Sequence, residues 1–329
     1  MENLSHPILA TIIYYDILEC PLTLLEIKKN LINLNRFSIM ATPKDISLGQ
    51  ILEESDSLVA KGFLGFKNGF YFLSGRDALF DLRIEREKIS AQKWKKLLKI
   101  ARWFQAVPYL RAILVSGSMS INNADKESDF DILSVARSGR LYTCRIFLCL
   151  VASVFRSRRT RFDLTAPDKF CFNHYITDGA LNIKYESLYN AQTYIGLKPV
   201  ISKDDVFNKF YEDNNWLTKY VVGPVATQDF VSRSISPSVV LSSIAKLAEI
   251  LLDSFLGDKI EYWLKKYQQK RIRNNPATYE SGGRVVFNDD ELEFHPRSFE
   301  ALAIDRYNKK LKKFGVALVA EEKDSGLTF

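Results

Sequence analysis

The chain is poor in the residues that form soft metal sites and disulfide frameworks. Its 329 residues include four cysteines and three histidines, and no two cysteines form a Cys-x-x-Cys pair. Zinc sites use closely spaced cysteine and histidine ligands, so the sequence argues against a local zinc-binding motif. Unpaired cysteines with mostly apolar neighbours suit a reducing compartment, and we expect a cytoplasmic protein.

The sequence also lacks a long, uninterrupted hydrophobic segment. Its most apolar stretch covers residues 141–155 and contains Arg145, which is short for a membrane crossing and suits a buried helix better. The first residues include Glu2 and His6 and do not show the basic-then-apolar pattern of a secretory signal. We therefore expect no integral membrane segment.

Acidic charge does not dominate the chain. Lysine and arginine number 46 against 39 aspartates and glutamates, which gives a net charge of +7, and 47% of the residues are hydrophobic. This composition is ordinary for a globular protein, and its basic excess permits an anionic partner without requiring one. The length exceeds that of most single compact domains, so two or three domains are expected.

Residues 1–76 carry the pattern of a small domain with three helices and a hairpin. Apolar residues recur at helical spacing over residues 7–19 and 47–61, and Thr23 with Glu26 forms a capping-box arrangement. Two short apolar runs then flank Asn68-Gly69, a strong hairpin signal. This order predicts a winged-helix-like domain.

The third helix of this domain argues against DNA binding. A helix that enters a phosphate-lined groove is expected to be basic. Between positions 45 and 61 the only basic residue is Lys61, and it is outnumbered by four acids, namely Asp45, Glu53, Glu54 and Asp56. A role in protein contact or domain packing is the better expectation.

Residues 113–135 carry the most informative pattern in the chain. An apolar run leads into Ser116-Gly117-Ser118, and Asp129 and Asp131 follow in a second apolar run. Since side chains alternate along a strand, the two aspartates point the same way. Paired carboxylates beside a small-residue turn suit Mg²⁺ and leave room for a phosphate chain against backbone N–H groups. Metal-assisted chemistry on a nucleoside triphosphate is therefore indicated.

The order of elements around this pattern predicts an α+β protein of three parts. A long amphipathic helix over residues 77–107 leads into a small mixed-sheet domain that extends to residue 190. Residues 191–329 form a mainly helical C-terminal domain, with a long amphipathic stretch over 239–270 and a strand-like segment near 284–287.

At Gly117-Ser118 and Asp129-x-Asp131 the chain resembles the nucleotidyltransferase superfamily of DNA polymerase beta. That family's pattern is an apolar strand, Gly-Gly or Gly-Ser, about ten residues, and Asp-x-Asp on the next strand, with a third acidic residue on a later strand. The resemblance implies that Gly117 and Ser118 hold the β- and γ-phosphates of a nucleoside triphosphate. It also implies that Asp129 and Asp131 bind Mg²⁺, of which the family uses two ions.

The third position of the resemblance has two candidates. Asp163 has an apolar-acid-apolar neighbourhood but lies in a basic connection that contains Pro167. Asn173 holds the inward polar position of the regular strand over residues 169–177. Asparagine provides a neutral oxygen and cannot act as a base, so Asn173 in this place would weaken or alter catalysis. The sequence leaves both candidates open.

Basic clusters and histidines complete the candidates. The segment from Arg137 to Arg161 contains seven arginines and no acid. These arginines could bind a triphosphate or a nucleic-acid strand, or they could simply form solvated helix ends. For the cluster over residues 265–273 a solvated face is favoured. His174 and His295 are expected to be structural.

Three functional hypotheses follow. The first is a Mg²⁺-dependent nucleotidyltransferase that moves a nucleoside monophosphate from an NTP to a hydroxyl acceptor, which could be a nucleic-acid end, a protein or a small molecule. The second is a non-catalytic nucleotide- or DNA-binding regulator, or a toxin–antitoxin-type component, with a degenerate site. The third is a peripheral membrane enzyme with residues 239–270 on an anionic surface, although Lys246, Glu249 and Asp253 fit an ordinary packed helix better.

Overall fold

The computed structural model describes residues 4–37, 46–160, 162–163, 165–223, 233–280, 282–296 and 298–326. Within these residues the chain is a mixed α and β structure with eleven α-helices and two sheets. The expected α+β class is confirmed at this level. The helices are α1 (Ser5–Ile17), α2 (Leu24–Lys29), α3 (Leu48–Ala60), α4 (Ala78–Ala101), α5 (Gly117–Ser120), α6 (Leu141–Val154), α7 (Leu188–Ile195), α8 (Val206–Asp213), α9 (Val239–Leu252), α10 (Phe255–Arg273) and α11 (Glu300–Lys313). The strands are β1 (Leu22–Thr23), β2 (Leu64–Lys67), β3 (Phe70–Leu73), β4 (Leu110–Val115), β5 (Phe130–Ala136), β6 (Phe170–Thr177), β7 (Lys198–Ser202), β8 (Arg284–Phe287) and β9 (Glu291–His295).

Of the described residues, those from Leu4 to Leu73 form three helices and a three-stranded antiparallel sheet of order β1-β3-β2. Thr23 and Glu26 form the expected capping box at the start of α2, since each side chain binds the other residue's backbone N–H. Asn68 and Gly69 both have positive φ, 49° and 90°, which is the backbone that a tight β2–β3 hairpin needs. Asp45, part of the acidic set expected for the third helix, lies outside the described residues.

The second sheet has six strands in the order β7-β4-β5-β6-β9-β8. Strands β5 and β6 are parallel and the other neighbours are antiparallel. This sheet takes strands from both sides of residue 190, because β7, β8 and β9 belong to the region expected to be mainly helical. The C-terminal region therefore completes the sheet that carries the Gly-Ser and Asp-x-Asp motif.

Helices cover both faces of the six-stranded sheet. One buried cluster joins the sheet to α4, α6 and α10 through side chains such as Leu97 and Leu148. A second cluster on the opposite face joins it to α7 and α8. The core of the first domain also includes Ile304, Tyr307 and Leu311 of α11, so the two ends of the chain share one hydrophobic core.

Several helices are shorter than their sequence patterns suggest. The segment expected as one helix over residues 77–107 is α4 followed by a 3₁₀ turn over Arg102–Ala106. Pro108 then precedes β4, and because proline cannot donate a backbone hydrogen bond it ends the helical run. The amphipathic stretch over residues 239–270, for which the sequence indicates a break near Gly257, divides into α9 and α10 at Asp253-Ser254.

Candidate functional site

The Gly-Ser turn lies directly against one of the two aspartates. Strand β4 ends at Val115, and the Ser116 N–H donates to the Asp131 carbonyl over 3.0 Å, which holds the turn beside β5. Gly117 has φ +61°, and a Cβ atom there would lie 2.4 Å from Asp131 Oδ2. A side chain at this position would both strain the backbone and clash with the carboxylate, so glycine is required here.

A buried lysine holds the loop that leads to the aspartates. The Lys93 ammonium of α4 donates to the Ser128 carbonyl over 2.8 Å and to the Lys126 carbonyl over 3.0 Å. It also pairs with Asp168 over 2.9 Å, and Lys93 is only 3% exposed. Lys93 belongs to the polar side of the amphipathic pattern over residues 77–107, but its ammonium is buried because it binds these backbone carbonyls and Asp168.

Strand β6 contributes the neighbours of Asp131. In the parallel pairing of β5 and β6, Asp131 lies opposite Cys171, and an irregularity follows before Leu133 pairs with His174. The Asn173 side-chain amide donates to Asp131 Oδ1 over 3.0 Å. The Cys171 sulfur and the carboxylate oxygens of Asp129 and Asp131 lie within 4.8 Å of one another, so these three residues form a group of metal-binding geometry.

Asp163 lies outside this group. Its carboxylate accepts from the Thr160 N–H over 2.8 Å and pairs with Lys169 over 3.2 Å. The backbone hydrogen bond from Thr160, followed by the Lys169 contact, lowers the pKa of Asp163. Of the two candidates for the third position, the structure therefore brings Asn173 to Asp131 and leaves Asp163 as part of a local loop.

The two aspartates have different electrostatic surroundings. Burial, and then the negative charge of Asp129, raises the pKa of Asp131 to about 6 against opposing contributions from His295, Arg159 and Asn173. Asp129 pairs with the Arg159 guanidinium over 2.5 Å. The Arg159 guanidinium thus partly neutralises the negative charge of Asp129 and Asp131. A bound divalent cation would relieve the remaining repulsion between the two carboxylates.

Cys171 is the member of the group that sequence reasoning missed. Burial, and then the charges of Asp131 and Asp129, hold the pKa of its thiol well above the ordinary value. The thiol therefore stays protonated at neutral pH and is a poor ligand for a hard cation. Cys171 and Asn173 are two residues apart on β6, so their side chains lie on the same face of the strand. This spacing is the sequence feature from which the position of Cys171 could be predicted.

The histidines bind carboxylates at the edge of this region. His174 is buried, with Nε2 3.1 Å from Glu291 and Nδ1 3.3 Å from the Tyr194 hydroxyl. His295 Nδ1 lies 2.9 Å from Glu293, which also accepts two hydrogen bonds of 2.6 Å from Arg284. Burial alone would raise the pKa of Glu293, but His174, His295 and Arg284 together hold it well below its ordinary value.

Three of the arginines expected to receive a phosphate chain hold the C-terminal helices. Arg137 pairs with Asp253, Arg140 pairs with Asp258 over 2.5 Å, and Arg145 donates to Gln268 over 2.5 Å. Arg159 contacts Asp129 instead, and Arg156 and Arg158 are exposed. Arg161 lies outside the described residues.

A cavity of about 450 Å³ opens beside Gly117 and Ser118. It lies between the first domain and the six-stranded sheet, and its size is in the range of small-molecule sites. Its walls include the aromatic residues Tyr14, Tyr15, Tyr189 and Phe299 and the cations Arg86 and Arg306. Burial, and then the charge of Asp131, raises the pKa of Tyr189 to about 12. The sequence could not reveal this cavity, because its walls come from distant segments.

Comparison with family models, with curated proteins and with solved structures gives no match for this chain. Among the helices of the described residues, none is both long enough and apolar enough to span a bilayer.

Proposed function

We propose that the chain is a Mg²⁺-dependent nucleotidyltransferase that moves a nucleoside monophosphate from an NTP to a hydroxyl acceptor. The observation that carries this proposal is the contact between Gly117, with its positive φ, and the Asp131 carboxylate. The Gly117 backbone, which also lines the cavity, thus lies directly against Asp131. Ser118 lines the adjacent cavity and is the phosphate-binding hydroxyl.

The residues present fit Mg²⁺. This cation binds proteins through one or two carboxylates and completes its shell with water and substrate phosphate oxygens. Asp129 and Asp131 supply those carboxylates, and Asn173 supplies a neutral oxygen if its amide is turned over. When bound, Mg²⁺ would neutralise phosphate charge and stabilise the in-line displacement of pyrophosphate.

The cavity offers a place for the nucleoside. Tyr189 and Phe299 lie with ring centroids 6.4 Å apart in an edge-on arrangement, and a base can stack on such a wall. Arg306 on the same wall is a candidate contact for the triphosphate. The acceptor hydroxyl belongs to a nucleic-acid end, a protein or a small molecule.

The first domain supports a role in packing or protein contact. Its order of helix, strand, two helices and two strands supports the proposal of a winged-helix-like module. Helix α3 carries Glu53, Glu54 and Asp56, which oppose the phosphates of DNA. Helix α1 of the same module lines the cavity through Tyr15 and contacts α11.

A second candidate is nucleotide binding without transfer. Asn173 and Cys171 lie beside the two aspartates, where the family that the chain resembles has its third carboxylate. Neither side chain is a strong base here. Arg159 pairs with Asp129 and would have to release it for a cation to bind. These observations favour a regulator that senses an NTP with Mg²⁺.

Two measurements test the proposals. We expect calorimetry to detect NTP binding that requires Mg²⁺ and is lost in Asp129→Ala and Asp131→Ala, while Asp163→Ala, as the matched control, binds like wild type. If the aspartate variants bind as tightly as wild type, both candidates fail.

The transfer step is tested with an NTP labelled at the α-phosphate. We expect pyrophosphate release and a labelled product when RNA ends, proteins or hydroxyl-bearing small molecules are supplied. Mg²⁺-dependent binding without labelled product from any of these acceptors would favour the second candidate.

A further inference from the structure

The outer faces of α9 and α10 expose an unusual amount of apolar surface. On α9, six large side chains are at least half exposed, and α10 adds five that are 45% to 75% exposed. The set consists of Val239, Val240, Ile244, Leu247, Ile250, Leu251, Phe255, Leu256, Tyr262, Trp263 and Tyr267. Their spacing places them on one side of each helix. Contiguous apolar surface of this kind marks an interaction site rather than a solvated face.

The acids at the end of α9 and on α10 are each paired with a group of the body of the protein. Glu249 accepts from the Tyr109 N–H over 2.6 Å, and Asp253 pairs with Arg137. Asp258 pairs with Arg140 over 2.5 Å, and Glu261 accepts from the first backbone amides of α6. Glu249 and Asp253, which suggested an ordinary packed helix, therefore belong to the inner face.

The basic residues of the same helices are mostly on the outer side. Six of the seven are exposed, namely Lys246, Lys259, Lys266, Lys270, Arg271 and Arg273. Lys259 lies 4.3 Å from the Phe255 ring centroid, and Lys266 lies 4.4 Å from that of Tyr262. Lysine stems that lie over aromatic rings and carry their charge outward are typical of helices at a lipid interface.

From this separation of charge we infer that α9 and α10 form a docking surface for a membrane with anionic lipids. The apolar and aromatic side chains would enter the boundary between headgroups and acyl chains, and the lysines would bind the phosphate and carboxylate groups of the lipids. The helices would lie on the bilayer, in agreement with the finding that no described helix can span it.

The charge pattern favours a membrane over the other occupants. A second copy that used the same surface in a symmetric contact would bring these lysines together, and the acids of both helices are already paired with groups of the body of the protein. A nucleic acid would satisfy the lysines but would leave the aliphatic face of α9 uncovered. The inference is independent of the proposed nucleotide chemistry.

The test is sedimentation of the full chain with phosphatidylcholine vesicles, with and without phosphatidylserine. We expect at least about tenfold tighter binding to the anionic vesicles. Lys266→Glu/Lys270→Glu should lower this binding about tenfold or more. Lys95→Glu/Lys99→Glu, which makes the same change at exposed positions with the same spacing on α4, should leave it unchanged.

A second pair of variants tests the apolar part of the surface. Leu256 and Leu25 are 66% and 67% exposed, so Leu256→Ser and Leu25→Ser remove equal exposed apolar surface. Leu256→Ser should weaken vesicle binding severalfold, and Leu25→Ser should not. Equal binding to neutral and anionic vesicles, or no binding to either, would overturn the inference. The inference would also be overturned if the chain does not bind vesicles and instead forms a dimer that Leu256→Ser dissociates. Oligonucleotide binding by this surface, without vesicle binding, would overturn it as well.

Discussion

At the scale of single residues, Gly117 and Asp131 depend on each other. In Gly117→Ala the new methyl group would meet Asp131 Oδ2 at 2.4 Å and the alanine would have to keep a φ of +61°. We expect a loss of stability of about 2–4 kcal/mol from strain and overpacking together. Mg²⁺-dependent NTP binding should fall at least about tenfold, because the carboxylate is displaced. Chemical denaturation and calorimetry measure the two effects.

Gly139 provides the matched control for this substitution. It also has a positive φ, +74°, but nothing lies within 4 Å of the position of its Cβ atom. Gly139→Ala should therefore lose only the strain part, about 1–2 kcal/mol, and should bind NTP like wild type. Equal losses in the two variants would contradict the assigned clash.

The pKa of Asp131 predicts an unusual dependence of stability on pH. Its folded pKa of about 6 is above the ordinary value of 3.8, so the folded protein disfavours the charged form. The free-energy cost of keeping the charged Asp131 carboxylate in the folded protein is absent below its ordinary pKa. This cost grows as pH rises and reaches its full size above the pKa of the folded state. At about pH 7, Asp131→Asn should be more stable than wild type by up to about 3 kcal/mol, and the difference should vanish near pH 4. Denaturant unfolding across this range measures it.

Two controls separate this effect from a general loss of charge. The pKa of Asp163 is lowered, so Asp163→Asn should give no gain in stability at neutral pH and the opposite trend with pH. Added Mg²⁺ should stabilise wild type more than Asp131→Asn, since a ligand that binds only the folded state adds stability. A gain from Asp131→Asn that persists unchanged at acidic pH would exclude the assigned cause.

At the scale of elements, the turn between α9 and α10 depends on a close approach of two backbones. A Cβ atom at Gly257 would lie 1.7 Å from the Leu252 carbonyl oxygen. Gly257→Ala should therefore force the two helices apart and cost at least about 1–3 kcal/mol. Gly49 in α3 is the control, since its nearest neighbour would be 3.8 Å away and alanine favours a helix there. Thermal unfolding measures both stabilities. An equal loss of stability in Gly257→Ala and Gly49→Ala would be inconsistent with the assigned contact.

At the scale of the whole molecule, α11 ties the C-terminal region to the first domain. Tyr307 is fully buried, and its ring lies 5.9 Å from that of Tyr14 in α1. Tyr307→Ala should cost about 3–5 kcal/mol and lower the hydrogen-exchange protection of α1, although the two residues are far apart in sequence. Persistent protection of α1 in this variant would indicate that the first domain is stable by itself.

The hydroxyl of Tyr307 gives a contrasting substitution at the same site. It is buried and has no hydrogen-bond partner within the described part of the chain. An unpaired buried polar group is costly, so Tyr307→Phe should be neutral or stabilising by about 1 kcal/mol. The pair of variants separates ring packing from hydroxyl burial, and a large loss in Tyr307→Phe would reveal a hidden partner.

The sequence by itself determined the parts of the fold that depend on local backbone periodicity. The capping box at Thr23, the hairpin at Asn68-Gly69 and the positions of Gly117, Asp129 and Asp131 on adjoining elements follow from spacings of two to a dozen residues. Such spacings act through neighbouring φ and ψ angles and through the alternation of side chains, so they are readable without the fold.

Only the tertiary structure decided which distant residues meet. The pairing of β5 with β6 placed Cys171 and Asn173 at the aspartates and left Asp163 in its own loop. Packing buried Lys93, gathered the cavity walls from five parts of the chain and turned the apolar side of α9 and α10 outward. These outcomes depend on register, on the pairing of buried charges and on which helix face finds a partner, and none of them is set by residues close together in sequence.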